Sequence, residues 1–379
     1  MDFSLTNEYA MAQKLFRDFA QNEVAPIAEE IDENHRFPTE TVALMQKYGF
    51  MGIPFSKEWG GQGCDYLTYA LAVEEISKVC GTTGVILSAH TSLCAGAINA
   101  YGTPEQKDKF LRPLADGRKI GAFGLTEPEA GTDAAGQQTK AVLDGDEWVI
   151  NGNKIFITNG GEAEIYVIFA MTDKAAGTRG ISAFIVEKGT PGFEFGINEK
   201  KMGIRGSATR ELIFRDCRIP KDQLLGKEGK GFGVAMSTLD DGRIGIAAQA
   251  LGIAGGALEK TVAYVKERKQ FGRPISAFQN TQFKLAEMKT ELEAARWLVY
   301  LAASKYDKGE KHSVEAAMAK LKASRVASWI TNQAVQLHGG YGYIQDYGVE
   351  RMMRDAKITE IYEGTSEVML MVVSAALLK

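Results

Sequence analysis

The sequence has few of the cysteines and histidines that build disulfide frameworks and metal sites, and it lacks the excess of basic residues that a nucleic-acid surface requires. Its 379 residues include only four cysteines, with no Cys-x-x-Cys pair, and four scattered histidines. This pattern indicates reduced thiols in a cytoplasmic protein and no metal site. The formal net charge of −4 argues against nucleic acid as the main partner, because phosphate binding requires a basic surface.

Long hydrophobic runs are also lacking. The segment 79–104 contains no Asp, Glu, Lys or Arg, but its many polar residues make it unsuited to a membrane-spanning helix. We expect a helix buried inside a bundle there. Its His90 and Cys94 would share one helix face, and such a pair belongs more often to a core than to a metal site. No signal peptide and no membrane insertion are predicted.

Familiar nucleotide and hydrolase motifs are missing too. No G-x-G-x-x-G follows a predicted strand, and there is no P-loop, H-E-x-x-H or G-x-S-x-G. The glycines at 229, 231 and 233 fit no phosphate-binding motif. The sequence therefore gives no support for a Rossmann NAD site.

What is present is the composition of an ordinary folded protein, with 45% hydrophobic and 24% charged residues. Helical periodicity dominates residues 1–120 and 228–379, whereas short β-rich runs with turn signals fill residues 121–227. We predict a mainly α fold with a central β domain: an N-terminal helical domain, an antiparallel β-barrel or sandwich, and a C-terminal four-helix bundle.

Individual elements can be placed within these domains. Ala12, Leu15, Phe16 and Phe19 would form one apolar helix face. Further helices are predicted at 41–48, 67–76, 235–268, 278–305, 313–337 and from about 366, and strands at 147–150, 165–171, 181–186 and 211–214. The dipeptides Asp144-Gly145 and Asn151-Gly152 both predict hairpin turns.

Five blocks of sequence carry the chemical signal. They are Gly124-Leu-Thr-Glu-Pro-Glu-Ala-Gly-Thr-Asp133, Asn151-Gly-Asn-Lys-Ile-Phe-Ile-Thr158, Arg268-Lys-Gln-Phe-Gly-Arg-Pro-Ile275, Gln336-Leu-His-Gly-Gly-Tyr-Gly342 and Arg354-Asp-Ala-Lys-Ile-Thr-Glu-Ile-Tyr-Glu-Gly-Thr365. Threonine hydroxyls and Gly131, which permits close backbone approach, suit a ligand rich in hydrogen-bond acceptors. In order and over essentially the whole chain, the blocks resemble the acyl-CoA dehydrogenase family, closest to its short-chain, butyryl-CoA enzymes of anaerobic bacteria.

The resemblance implies FAD as the cofactor. By position, one group would line the isoalloxazine and its surroundings: Phe123, Leu125, Thr126, Gly131, Thr132, Phe156, Ile157 and Thr158. A second group would hold an FAD bound mainly to a neighbouring subunit: Arg268, Gln270, Phe271, Gln279, Gln336, Gly339 and Gly340. Thr365 and Glu367 would also face the FAD. A homotetramer, built as a dimer of dimers, is implied as well.

The substrate implied by the resemblance is a short-chain acyl-CoA, bound by Thr132, Asp240, Arg243 and Gly364. An arginine suits this task because its guanidinium binds acceptor oxygens bidentately. The family carries its catalytic carboxylate either in the I-Y-E-G-T block or on the helix with the Asp and Arg of the CoA site. The second place corresponds here to Gly242, so the predicted base is Glu363.

Desaturation of an acyl-CoA requires a base for the α-proton, donors for the developing enolate and a hydride acceptor. The resemblance assigns these roles to Glu363, to the Glu363 backbone N–H with a ribityl hydroxyl, and to flavin N5. It also implies an electron-transfer flavoprotein as partner. Butyryl-CoA oxidation and crotonyl-CoA reduction both fit the sequence.

Other interpretations remain open at this point. An acyl-CoA oxidase would share the flavin site, although those enzymes are much longer chains. A non-redox flavoprotein or assembly factor could keep the fold, but an intact Glu363 argues against it. Residue by residue, Arg243 could form a surface ion pair, Arg268 a solvated charge, Phe271 a core contact, and Glu363 a helix-dipole contact.

Overall fold

The structure is a computed structural model that describes residues 5–379. Its N-terminal part is helical, as predicted. The helices are α1 (Asn7–Phe19), α2 (Ala28–Glu33), α3 (Thr39–Lys47), α4 (Tyr66–Ser77), α5 (Gly81–Ser88), α6 (Gly96–Tyr101), α7 (Pro104–Gln106) and α8 (Arg112–Ala115). In α1, Phe16 and Phe19 are buried, but Leu15 is 55% exposed, so the predicted apolar face is narrower than expected.

The uncharged segment forms a continuous helical course from α5 through a π-helical stretch at Ala89–Ala95 to α6. Almost all of it is buried, which confirms the expectation of an internal helix. His90 is a core residue: its Nε2 lies 3.2 Å from the Met51 carbonyl, and its Nδ1 accepts a hydrogen bond from the Gly121 amide. Among residues 5–379, no helix is both long and apolar enough to cross a membrane.

The middle of the chain is a single eight-stranded sheet. Its strands are β1 (Gly121–Gly124), β2 (Lys140–Asp144), β3 (Glu147–Thr158), β4 (Ile165–Met171), β5 (Ile181–Glu187), β6 (Phe193–Asn198), β7 (Thr209–Pro220) and β8 (Leu224–Leu225). The order is β6-β7-β3-β2-β4-β5-β8, with β1 on β4. Most pairs are antiparallel, as predicted, but β4 runs parallel to β1 and, at one residue pair, to β2, which the sequence pattern did not indicate.

The sheet has two halves that pack against each other. Their link between β2 and β4 is the single pair Lys140 and Met171. Across the interior, the rings of Trp148 and Phe184 lie 5.2 Å apart, and those of Tyr166 and Phe193 lie 4.9 Å apart. This face-to-face packing is the sandwich arrangement expected for the central domain.

One of the two predicted hairpin turns is wrong. Asp144-Gly145 does connect β2 to β3, with Gly145 at φ 65°. Asn151-Gly152 instead lies within β3, where the pairing with β7 shifts register at a bulge. A Cβ on Gly152 would lie 2.6 Å from the Thr139 Cα, so this glycine serves a close backbone approach rather than a turn.

The C-terminal part is helical again. Its helices are α9 (Gly231–Glu267), α10 (Gln279–Asp307), α11 (Ser313–His338), α12 (Val349–Ile358) and α13 (Ser366–Leu377), and a two-stranded hairpin of β9 (Lys269–Gln270) and β10 (Arg273–Pro274) follows α9. The sequence did not predict α12. Helix α9 packs tightly on α4 at Gly252. A Cβ on this glycine would lie 2.2 Å from the Glu74 carbonyl oxygen, so no larger residue fits there.

Candidate active site

A cavity of about 280 Å³ lies where the three parts of the chain meet. The buried helical course contributes Val85, Ala89 and Leu93, and α9 contributes an apolar face of Phe232, Met236 and Leu239. The β domain contributes Phe123, Leu125, Thr126, Gly131, Thr132, Asp133, Ala134, Ala135, Phe156, Ile157 and Thr158, and the remaining lining comes from Arg243, Tyr362, Glu363, Gly364 and Val368. The cavity is therefore mainly apolar, with threonine hydroxyls on one side and charged groups on another.

Glu363 is the carboxylate in this cavity. It lies between α12 and α13 with φ at 52°, and Gly364 follows with φ at 101°. The residue is half-buried, but its Oε2 is enclosed and has no hydrogen-bond partner within residues 5–379. Burial raises the pKa of Glu363 to about 7, although the cations of Lys320 and Arg243 act in the opposite direction.

Two buried cations hold the backbone around this carboxylate. Arg243 on α9 donates from Nε to the Glu363 carbonyl, at 3.4 Å, and from Nη1 to Asp240. Lys320 on α11 donates from Nζ to the Gly364 carbonyl. Asp240 therefore orients Arg243 and does not itself line the cavity.

Gly242 lies directly beside the predicted base, Glu363. A Cβ at this position would lie 2.3 Å from the Glu363 Oε2 and 2.6 Å from the Leu93 Cδ2. A side chain on α9 at residue 242 would therefore reach the point that the Glu363 carboxylate now occupies. This geometry supports the exclusion argument that assigned the base to Glu363.

The loop after β1 is anchored by a buried ion pair. Lys154 on β3 donates from Nζ to Glu127 at 2.6 Å, to the Leu125 carbonyl at 3.2 Å and to Gln137 at 2.9 Å. The same Glu127 carboxylate accepts the Thr139 amide. Nearby, Phe156 has a positive φ of 58° and is 61% exposed, so its ring stands at the cavity mouth with little protein cover.

A second pocket lies at the end of α9 and α11. It is lined by Tyr264, Arg268, Gln270, Ile275, Gln336, Leu337, His338, Gly339, Gly340, Tyr341 and Ile344, and shares no residue with the first cavity. The Arg268 guanidinium lies 5.2 Å from the ring centroid of Tyr341. In the hairpin beside it, Phe271 is 93% exposed with φ at 53°.

Comparison with known proteins identifies the chain. Three family models match it in succession: the acyl-CoA dehydrogenase N-terminal domain at residues 6–118, the middle domain at 122–217 and the C-terminal domain at 229–378. The chain belongs to the acyl-CoA dehydrogenase family. The resemblance seen in the five sequence blocks and the fold class predicted from the sequence are thereby confirmed.

Several members of this acyl-CoA dehydrogenase family are similar over their whole length. The short-chain specific acyl-CoA dehydrogenase of Clostridium acetobutylicum is 62% identical, with both chains covered fully. The structure of butyryl-CoA dehydrogenase from Megasphaera elsdenii is 54% identical with a TM-score of 0.98, covering both chains. A chain solved in work on the electron transferring flavoprotein of Acidaminococcus fermentans and flavin-based electron bifurcation is 58% identical, with a TM-score of 0.99 and full coverage.

A more distant family member has been solved with the flavin. PigA in complex with FAD is 32% identical, with a TM-score of 0.95, and covers 100% of this chain and 99% of its own. Binding of FAD thus occurs within the acyl-CoA dehydrogenase family.

The predicted site residues fall into three sets. Phe123, Leu125, Thr126, Gly131, Thr132, Phe156, Ile157, Thr158, Arg243, Glu363 and Gly364 line the cavity, whereas Arg268, Gln270, Gln336, Gly339 and Gly340 line the second pocket. Asp240, Phe271, Gln279, Thr365 and Glu367 line neither. The Thr365 hydroxyl caps α13 by accepting the Val368 amide, at 3.3 Å.

Sequence reasoning missed part of the lining. Phe232, Met236 and Leu239 are spaced at i, i+4 and i+7, which is the signal of one helix face and could have shown them together. Lys320, which lies outside the lining but donates to the Gly364 carbonyl, was also missed, although it stands on the small-residue face of α11 that includes Ala316 and Ala323. A lysine within such a face indicates a buried charge.

Proposed function

We propose that this acyl-CoA dehydrogenase uses FAD to interconvert butyryl-CoA and crotonyl-CoA, with Glu363 as the base. The observation that carries the proposal is the enclosed, unpartnered Glu363 carboxylate in an apolar cavity. The relatives named short-chain specific and butyryl-CoA dehydrogenase support the substrate. A flavin-reduction test distinguishes a dehydrogenase from the acyl-CoA oxidase and the non-redox assembly factor that the sequence alone left open.

The residues present fit FAD. A flat, largely apolar ring with polar edges matches a cavity lined by Phe123, Leu125 and the hydroxyls of Thr126 and Thr158. No atom lies within 4 Å of a Cβ placed on Gly131, so backbone and ligand can approach closely there. Phe156 at the cavity mouth offers a ring for stacking. When bound, FAD supplies the hydride acceptor at flavin N5.

The second pocket fits the polar half of an FAD bound to a neighbouring subunit. Arg268 offers a planar cationic group, and Gln270 and Gln336 offer amide donors. The exposed rings of Phe271 and Tyr341 are available for stacking. Three further residues would contact FAD from outside the two pockets: Gln279, Thr365 and Glu367.

The chain's own residues perform the proton chemistry. Arg243, held by Asp240, and Thr132 at the cavity rim bind the CoA side of the thioester. Glu363 removes the α-proton, and its backbone N–H donates to the thioester oxygen as negative charge develops there. The left-handed conformation at Glu363 and Gly364 fixes carboxylate and amide relative to each other.

The chain-length preference follows from the far side of the cavity. The buried helical course contributes only the uncharged side chains of Val85, Ala89 and Leu93 to the lining. A carboxylate tail would have no partner on this course, and the relatives named short-chain specific support a short chain over a long one. We therefore expect butyryl-CoA to react faster than glutaryl-CoA or octanoyl-CoA.

The decisive measurement is reduction of the FAD-loaded protein by butyryl-CoA without oxygen. We expect the flavin absorbance to fall rapidly with butyryl-CoA and more slowly with glutaryl-CoA and octanoyl-CoA. Glu363→Gln is the matched control and should stay oxidised. Rapid reoxidation by O₂ would indicate an oxidase, whereas no reduction by any acyl-CoA would favour the non-redox function.

The electron partner is part of the same proposal. A relative 58% identical was solved in work on an electron transferring flavoprotein, which supports a protein of that kind as the acceptor here. After reduction by butyryl-CoA, such a flavoprotein should reoxidise the enzyme faster than O₂ does.

A further inference from the structure

Lys320 is the least expected charge in the C-terminal helices. Its side chain is fully buried on α11, a position that lysine almost never occupies without a partner. Its ammonium group donates to the carbonyl of Gly364, the residue directly after Glu363. The Glu363 carbonyl is held in turn by Arg243. Each carbonyl of this left-handed pair is thus bound by a separate buried cation.

This arrangement affects the carboxylate as well as the backbone. Glu363 Oε2 has no hydrogen-bond partner in the described chain, so only nearby charge and solvation stabilise its ionised form. Burial lowers the pKa of Lys320 to about 8, partly offset by attraction to Glu363. The Lys320 ammonium donates to the Gly364 carbonyl, so its charge lies beside the residue that carries the carboxylate.

We propose that Lys320 is a positioning residue for Glu363, which fixes the Gly364 carbonyl and keeps the adjacent carboxylate in its ionised, proton-accepting form. The inference rests on the proposed function only in taking Glu363 as the base. It assigns to α11 a part in the chemistry, although none of its residues lines the cavity.

Other titratable groups also face Glu363 and Lys320. Besides Lys320, they are Arg243 on α9, Tyr66 and Tyr69 on α4, Tyr362 beside Glu363, and Glu360 and Glu367, which face Lys320. Burial raises the pKa of the three tyrosines, so they stay neutral at working pH. Removing Lys320 leaves Arg243 as the cation that faces Glu363.

Three substitutions separate the charge of Lys320 from its hydrogen bond to the Gly364 carbonyl. Lys320→Met removes both, Lys320→Gln keeps a donor without charge, and Lys320→Arg keeps both. Lys201→Met is the matched control, because Lys201 is a partly buried lysine that likewise donates to a backbone carbonyl, that of Ser207 at 2.8 Å. It has no part in the proposed site.

The primary measurement is infrared titration of the carboxyl group in FAD-loaded enzyme. For each Lys320 variant and for the parent, the spectrum of the same protein with Glu363→Gln is subtracted. The difference reports the ionisation of Glu363 directly. Loss of the cation should raise the pKa of Glu363 by about one unit in the Met and Gln variants. The acid limb of the kcat profile should move to higher pH by the same amount. Lys320→Arg and Lys201→Met should titrate like the parent.

The second measurement is amide hydrogen exchange of the segment 360–366. Exchange should quicken about tenfold in Lys320→Met and less in Lys320→Gln, which keeps a donor for Gly364. Faster exchange with an unchanged Glu363 titration in both neutral variants would reduce Lys320 to a structural role and overturn the proposal.

The two proposals fail in different ways. Should Lys320→Met not fold, the Gln and Arg variants still decide, because they differ in charge while both can donate. A parent enzyme that butyryl-CoA does not reduce would defeat the proposed function, and the infrared titration would still give its answer for Lys320.

Discussion

At Glu363, backbone and side chain are both held in unfavourable states. A non-glycine residue in the left-handed region costs about 1 kcal/mol. The enclosed oxygen adds a further penalty, since a buried acceptor without a donor is destabilising. Strain of this kind concentrates at functional sites, where the surrounding structure enforces it. Here the enforcing groups are Arg243 and Lys320.

Replacing Glu363 by glutamine should therefore separate activity from stability. We expect turnover of butyryl-CoA to fall by at least about a hundredfold, because an amide cannot accept the α-proton. FAD content should not change. Burial raises the pKa of Glu363 from its ordinary value of 4.5 to about 7. The folded parent therefore loses stability as the pH rises through that range. At pH 8 the variant should melt no lower than the parent.

Steady-state rates and thermal melts at pH 8 measure these two effects. A loss within about tenfold, equivalent to ~1.4 kcal/mol, would mean that another group takes the proton.

The position of Gly242 allows the base to be moved. In the double variant Glu363→Gly/Gly242→Glu, the new side chain enters the space that the Glu363 carboxylate vacates. We expect it to recover part of the flavin reduction rate that Glu363→Gly loses. The control is Glu363→Gly/Gly242→Gln, which fills the same space without a base. Equal rates in the two double variants would contradict the assignment.

Among the structural elements, β3 links the sheet to the loop after β1. Lys154 is fully buried and reaches Glu127, Leu125 and Gln137 across that loop. Truncating one partner of a buried ion pair leaves an uncompensated charge, which costs about 3–5 kcal/mol.

Lys154→Met should accordingly lower the free energy of unfolding by about 3 kcal/mol and weaken FAD retention. Adding Glu127→Gln should restore part of the stability, since it removes the stranded charge. Lys140→Met, at an exposed position on β2, is the control and should stay within about 0.5 kcal/mol of the parent. Denaturant titration with FAD fluorescence measures both quantities, and a loss below 1 kcal/mol for Lys154→Met would show that the pair does not anchor the loop.

Sequence periodicity predicted the long helices and the order of domains, because α9, α10 and α11 are longer than any irregular segment. It failed where tertiary contacts override local signals. Gly152 carries a turn signal but lies in a strand, because Thr139 packs against its backbone. Helix α12 was hidden because five of its ten residues are charged, so only Val349, Met352 and Ala356 mark its buried face.

For the site, family motifs predicted half of the residues that line the cavity, but motifs cannot show charges contributed by distant segments. Lys320 lies 43 positions before Glu363, within an alanine-rich stretch that contains no motif. Its role depends on how α11 packs against the segment between α12 and α13, and a single sequence does not reveal that packing.

For the whole molecule, the surface points to association. Large apolar side chains on α10 and α13 remain exposed, among them Phe283 at 58% and Met371 at 65%. Together with the second pocket, they support the proposed dimer of dimers, in which neighbouring subunits share each FAD.

Sedimentation should accordingly give a mass about four times 41.3 kDa for the FAD-loaded protein. Arg268→Ala and Gln336→Ala should release FAD more readily, although neither residue lines the Glu363 cavity. Arg218→Ala, which removes surface pairs with Asp144 and Glu147, serves as the control. An active, FAD-loaded monomer would rule this assembly out.

The closeness of residue 242 to the predicted base, Glu363, also constrains how such a sequence can evolve. With Glu363 in place, any side chain at 242 would displace its carboxylate, and a second acid there would add repulsion. A move of the base from 363 to 242 would thus pass either through an intermediate that lacks a base or through one in which two acids crowd the same space. Substitutions at the two positions should show strong epistasis, and descendants should rarely cross from one arrangement to the other.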